Sequence, residues 1–183
     1  HLGDPRLRDI IARQSGVDDP NDVLVTAGAA SALFLVASSM LQPGDKMIVA
    51  RPNYGTNIET PRAIGADISY LDQSFEEGFK VDIDRLKSMI GNDTKYISLT
   101  NPHNPTGTMM SLSELKEVIS IAEKHNVWLL IDETYRDMFK GEVLPVAASL
   151  SEKVISISSL SKTYGIPGIR IGWTVCRDKK MND

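Results

Sequence analysis

Seven short apolar runs constrain this chain more than any other feature: Val23–Thr26, Lys46–Ala50, Asp67–Leu71, Tyr96–Thr100, Trp128–Ile131, Val154–Ile157 and Ile169–Val175. Runs this short, apolar and rich in β-branched residues read as strands buried on both faces. Most of the segments between them carry helical periodicity or helix-ending signals, so successive strands are joined by crossovers and not by tight hairpins. The fold class expected is α/β, a three-layer α/β/α arrangement around a mainly parallel seven-stranded sheet. Ligands of such sheets bind beyond the carboxyl ends of the strands. Residues just after each run are therefore the first candidates for a site.

The helical segments have their own punctuation. Asp4 to Gln14 places Leu7, Ile10 and Ile11 at helical spacing, with Pro5 acceptable in a first turn. Ala27 to Ser31 leads into an apolar helix ending near Leu41 and closed by Pro43-Gly44. The stretch toward Gly65 reads as helix interrupted at Pro61. Asp82 to Gly91 reads as a capped helix with a glycine stop. Ser111-Leu112-Ser113-Glu114 is a capping box, opening a helix with Leu112, Leu115, Val118, Ile119 and Ala122 inward.

At 183 residues the chain fits one domain. Its net charge of −4 argues against non-specific nucleic-acid binding. The single cysteine, Cys176, excludes an internal disulfide, and His1, His103 and His125 have no zinc spacing. No apolar run approaches the roughly 20 residues of a membrane span. The chain opens in mid-pattern at His1 and stops just after a strand, at Asp183, so it reads as an internal piece of a longer protein.

Several strand ends carry chemistry. After Val154–Ile157 come three serines and a lone lysine, Lys162, then a loop rich in Gly and Pro and the cation Arg170. A lysine at a buried strand end loses solvation, which disfavours its charged form and frees the amine as a nucleophile. Arg170 has the planar fork that suits a phosphate. The plainer reading makes Lys162 a solvated loop residue and Arg170 an ion-pair partner. Gly28, Ala29 and Ala30 form a strand-to-helix turn where amides can approach an anion, or simply a close-packed turn. Tyr54 can stack on a flat ring or cap the core. Asp132, straight after Trp128-Leu129-Leu130-Ile131, calls for a cation to offset its desolvation, or caps the following turn.

Taken together, these stretches resemble pyridoxal-phosphate-dependent aminotransferases of fold type I, class I/II. The resemblance rests on Gly3 with Leu7-Arg8, on Ala27-Gly28-Ala29-Ala30, on Pro52-Asn53-Tyr54 and on Asn101-Pro102-His103-Asn104-Pro105-Thr106-Gly107. Asp132-Glu133-Thr134-Tyr135 and Ser159-Leu160-Ser161-Lys162 with Arg170-Ile171-Gly172-Trp173 complete it. It implies pyridoxal 5'-phosphate as cofactor, held by Lys162 as a Schiff base. Lys162 would also be the acid and base of the proton shift. Gly28, Ala29, Ala30, Ser159, Ser161 and Arg170 would surround the phosphate, and Tyr54 would stack on the ring. Asn104 and Tyr135 would donate to the phenolic oxygen, and Asp132 would pair with the pyridine nitrogen. A cis bond at Asn104–Pro105 goes with the same motif. Implied partners are an amino acid and a 2-oxo acid, with a homodimer in the cytoplasm. Residues 1–183 would be part of the large, cofactor-binding domain, with an N-terminal arm and a small C-terminal domain outside them. Two alternatives share these motifs: a pyridoxal-phosphate lyase or cyclising enzyme, and the aminotransferase-like sensor domain of a transcription regulator.

Overall fold

A computed structural model describes residues 2–138, 141 and 143–179. Seven strands form one sheet: β1 (Val23–Thr26), β2 (Lys46–Arg51), β3 (Asp67–Asp72), β4 (Thr94–Thr100), β5 (Trp128–Asp132), β6 (Val154–Ser159) and β7 (Gly172–Cys176). Their order is β1-β7-β6-β5-β4-β2-β3. Neighbours from β3 to β6 pair in parallel, whereas β7 runs antiparallel to both β6 and β1. The sheet is thus mainly parallel, as expected, with one reversed strand.

Five helices cover it: α1 (Pro5–Ser15), α2 (Ala29–Met40), α3 (Gly55–Ile64), α4 (Ile83–Met89) and α5 (Leu112–His125). The alternation of side chains along the strands divides the core in two. Ile48, Ile97, Leu99, Leu129 and Ile131 point to one face with Leu115, Val118 and Ile119 of α5 and Ile11 of α1. Met47, Val49, Tyr96, Leu130 and Ile155 point to the other, against Leu33, Val36 and Ala37 of α2. A strand whose odd and even residues are both buried needs helices on both faces, which makes the three layers.

Local signals act where expected at most helix ends. Asp4 accepts from the amides of Arg6 and Leu7, and Gly16 closes α1 at φ 69°. Ser111 and Glu114 form the reciprocal capping box of α5. Two expectations are corrected. Helix α3 runs through Pro61 without a break, the ring being buried. Its tertiary packing outweighs the lost amide donor. The last strand begins at Gly172 and not at Ile169. Residues 167–169 form a 3-10 turn, and Arg170 adopts the left-handed region at φ 54°, which no strand residue does.

Candidate functional site

The strand directions gather the candidates at one edge. The carboxyl ends of β1, β2, β4, β5 and β6 all lie there, and β7, being reversed, brings its amino end to the same place. A cleft of about 320 Å³ opens at that edge. Ala29, Ala30, Tyr54, Asn104, Asp132, Tyr135, Ser159, Ser161, Lys162 and Arg170 all line it, together with Thr134 and Pro167. Gly28 is buried just behind, as the N-cap of α2 at φ 91°. Every candidate named from sequence therefore lies at one cleft, although they span residues 28 to 170.

One end of the cleft favours an anion. The first amides of α2 have no intrahelical partner and meet the positive end of the helix dipole. The Arg170 guanidinium lies beside them, donating to the carbonyls of Pro167 at 3.0 Å and Ala27 at 3.5 Å. Among the described residues no carboxylate pairs with it. The approach is close enough that a Cβ at Gly28 would strike that guanidinium. A Cβ at Gly172 would strike the backbone of Gly28 and Ala29. The two glycines let β7, the Arg170 side chain and the start of α2 converge on one point. Ser159 is buried, and its hydroxyl accepts from the Ser161 amide at 3.4 Å.

The other end carries a carboxylate. Asp132 is 5% exposed, and its Oδ1 accepts from the Thr134 hydroxyl at 2.6 Å and the Thr134 amide at 3.1 Å. Burial pushes its carboxyl above the usual range, and the bonds from Thr134 and Asn57 oppose that rise. A cation in the cleft would relieve the burial cost and keep the group ionised. Lys162 does not occupy a buried strand end. It lies three residues past β6 in an exposed turn, so the burial invoked from sequence is not supplied by these residues. Its Nζ lies 5.8 Å from the centre of the Tyr135 ring.

Asn104 lies in the loop after β4, which has cis bonds at Asn101–Pro102 and Asn104–Pro105; a third cis bond, Arg51–Pro52, follows β2. His103 ties this loop to the one after β2. Its Nε2 donates to the Pro52 carbonyl at 2.8 Å, which leaves Nδ1 as acceptor for Thr106 Oγ1 at 2.7 Å. Sequence reading gave no role to Thr134, Asn57, Gly172 or His103. For Thr134 a signal was present, since a hydroxyl two residues past a strand-end aspartate can bond back to it. The other three act through partners remote in sequence.

The chemistry of this donor set fits a ligand with a phosphate at one end and a protonated ring nitrogen at the other. Arg170, the serines and the α2 amides suit the first, Asp132 the second, and the exposed Lys162 amine lines the same cleft.

The profile of "Aminotransferase class I and II" matches residues 3–182. An arginine–pyruvate transaminase of Pseudomonas aeruginosa is 33% identical over 174 residues, which is 93% of this chain and 44% of that protein. An aspartate aminotransferase of Sulfurisphaera tokodaii is 33% identical, over 86% of this chain and 41% of that protein. Among solved structures, a PLP-dependent aminotransferase of Streptococcus suis superposes with a TM-score of 0.92 at 33% identity, covering 99% of this chain and 49% of that one. An alanine aminotransferase of Pyrococcus furiosus does so with a TM-score of 0.89 at 32% identity, covering 98% and 48%. The chain thus spans less than half the length of these relatives.

Proposed function

This chain belongs to the class I and II aminotransferases, and from that premise we propose that it is the cofactor-binding part of an enzyme moving an amino group from an amino acid to a 2-oxo acid with pyridoxal 5'-phosphate. The observation that carries the reading is one cleft with helix amides and an arginine that pairs with no carboxylate among the described residues at one end, and a buried carboxylate at the other. The cofactor, when bound, supplies an electron-accepting ring.

The chain's own residues have separable tasks. Gly28, Ala29, Ala30, Ser159, Ser161 and Arg170 hold the phosphate. Asp132, fixed by Thr134, holds a proton on the ring nitrogen. Asn104 and Tyr135 would donate to the phenolic oxygen, and Tyr54 would pack on the ring. Lys162 would be the residue that holds the cofactor covalently, and its free amine would take and return the proton at the substrate α-carbon. Its exposed position in the cleft lining leaves the amine accessible to both. The homodimer and cytoplasmic location implied by the resemblance belong to the same proposal, as do an N-terminal arm and a small domain beyond these residues.

The relatives' names cover arginine, tyrosine, aspartate and alanine as amino donors, so the proposal stops at the class of substrate. The test is to titrate the protein with pyridoxal phosphate and follow visible absorbance. A new band, absent in Lys162→Ala, is expected. The same band in that variant would remove Lys162 from the role.

A further inference from the structure

Asn53 stands between Pro52 and Tyr54, in the turn after β2. Its carboxamide oxygen accepts three hydrogen bonds: from the Tyr54 amide at 2.7 Å, the Thr100 hydroxyl at 2.9 Å and the Asn57 side-chain amide at 3.1 Å. Its own amide group donates to the Ala50 carbonyl at 3.1 Å. An amide oxygen has two lone pairs, so three donors saturate it. Rotating that side chain away would release all three at once.

The donors lead to different walls of the cleft. Tyr54 is the N-cap of α3 and has no capping bond from its own side chain, so Asn53 supplies the local anchor for its backbone. Asn57 is 4% exposed and is held a second time, its Oδ1 accepting from Ser98 Oγ at 3.0 Å. The Asn57 side chain also favours the ionised form of the Asp132 carboxylate, opposing its burial. Thr100 is the last residue of β4 and pairs in register with Asp132 on β5. One oxygen atom thus ties together the aromatic residue beside the cleft, the strand end in register with Asp132 and a side chain that favours the ionised carboxylate.

We infer that Asn53 is a positioning residue, whose carboxamide oxygen sets Tyr54 directly and Asp132 by way of Asn57. The inference rests on the proposed cofactor reading, in which Tyr54 faces the ring and Asp132 its nitrogen. It adds that the two contacts are not independent. A change at Asn53 loosens both, although Asn53 itself does not line the cleft.

The test uses the full chain as wild type, Asn53→Ala, Asn53→Asp and Asn57→Ala. Pyridoxal phosphate is titrated into each, and the absorbance of the bound form is then followed against pH. Lys162, Tyr135 and Arg170 line the same cleft as Asp132, and Glu133 is its chain neighbour; none of them hydrogen-bonds the Asn53 side chain. Asn53→Ala is expected to raise the Kd roughly tenfold or more, because it leaves buried donors without an acceptor. It should also move the pH midpoint of the bound form. Asn53→Asp keeps the accepting oxygen and is expected to restore most of the affinity. Asn57→Ala removes the arm to Asp132 and the acceptor of Ser98 but leaves the bonds from Tyr54 and Thr100 to Asn53, so it should move the midpoint with a smaller change in Kd; it also decides the matter if Asn53→Ala does not fold. An unchanged Kd and midpoint in the alanine variants, with only a lower unfolding temperature of the cofactor-free protein, would make the network merely structural and overturn the inference. Failure of the wild type to bind would instead strike the proposed function, from which this inference starts.

Discussion

Replacing Glu133 by glutamine tests how the burial beside the cleft shapes stability. Glu133 follows Asp132 at the end of β5 and is 3% exposed. Its two oxygens accept from the Ala147 amide at 3.2 and 3.4 Å, and Ser156 adds a side-chain bond. Arg136 is nearby, but its guanidinium is engaged by Asp137 at 2.7 Å and by the Leu144 carbonyl at 3.0 Å. Burial dominates over these favourable contacts and pushes the carboxyl up from 4.5 to about 7. The folded state therefore keeps a proton that the unfolded chain releases. This contribution to stability is complete below pH 4.5, is lost as pH rises toward 7, and stays lost above it. At ~1.4 kcal/mol per pH unit, ionising Glu133 in place costs up to ~3 kcal/mol. Glutamine retains an acceptor for the Ala147 amide and carries no charge to desolvate. Urea unfolding of both proteins from pH 5 to pH 8.5 isolates the effect, because groups other than the neighbouring Asp132 and Arg136 cancel in the difference. At pH 5 the two should agree within about 1 kcal/mol. At pH 8.5 Glu133→Gln should be more stable by ~1–3 kcal/mol, equivalent to several degrees in Tm for a chain of this length. Parallel pH profiles, offset by a constant, would show that Glu133 ionises without penalty and would refute the reasoning.

Two further substitutions probe the convergence at the anion end of the cleft. Gly172→Ala should destabilise the protein by ~1–3 kcal/mol in urea unfolding, since the new methyl meets only backbone of Gly28 and Ala29 and nothing flexible can yield. Arg170→Lys keeps the charge but loses the planar fork, and it should weaken pyridoxal phosphate binding by roughly tenfold, read as a higher Kd in the absorbance titration, while unfolding in the cofactor-free state stays within about 0.5 kcal/mol of wild type because the side chain is exposed.

Much of the architecture was legible because its signals are local. The apolar runs between breakers marked all seven strands, since burial on both faces demands unbroken apolar sequence. Asp4, Ser111 and Glu114 marked helix starts because a cap acts on amides two or three residues away. Lys162, Arg170, Asp132, Tyr54 and the Gly28 turn also followed from position and residue chemistry, whereas the roles of Asn104, Tyr135, Ser159 and Ser161 came with the family resemblance. A parallel sheet sends its strand ends to one edge, so residues just past those ends are neighbours in space.

What local sequence could not specify were the outcomes that depend on distant partners. Pro61 sits within a continuous helix because the surrounding packing outweighs one lost donor. The insertion of β7 in reverse between β1 and β6 is decided by pairing across the sheet, and it is this reversal that carries Arg170 to the cleft. Lys162 emerges exposed because the turn after β6 projects beyond the sheet edge, a matter of three residues that no apolar pattern records. Asn53 looks like any polar turn residue until Thr100, 47 positions further on, donates to it. The sequence by itself determined which residues end strands and which kinds of chemistry they bring. The tertiary structure alone decided which of them touch, because contacts between remote segments depend on the order and direction in which the strands assemble.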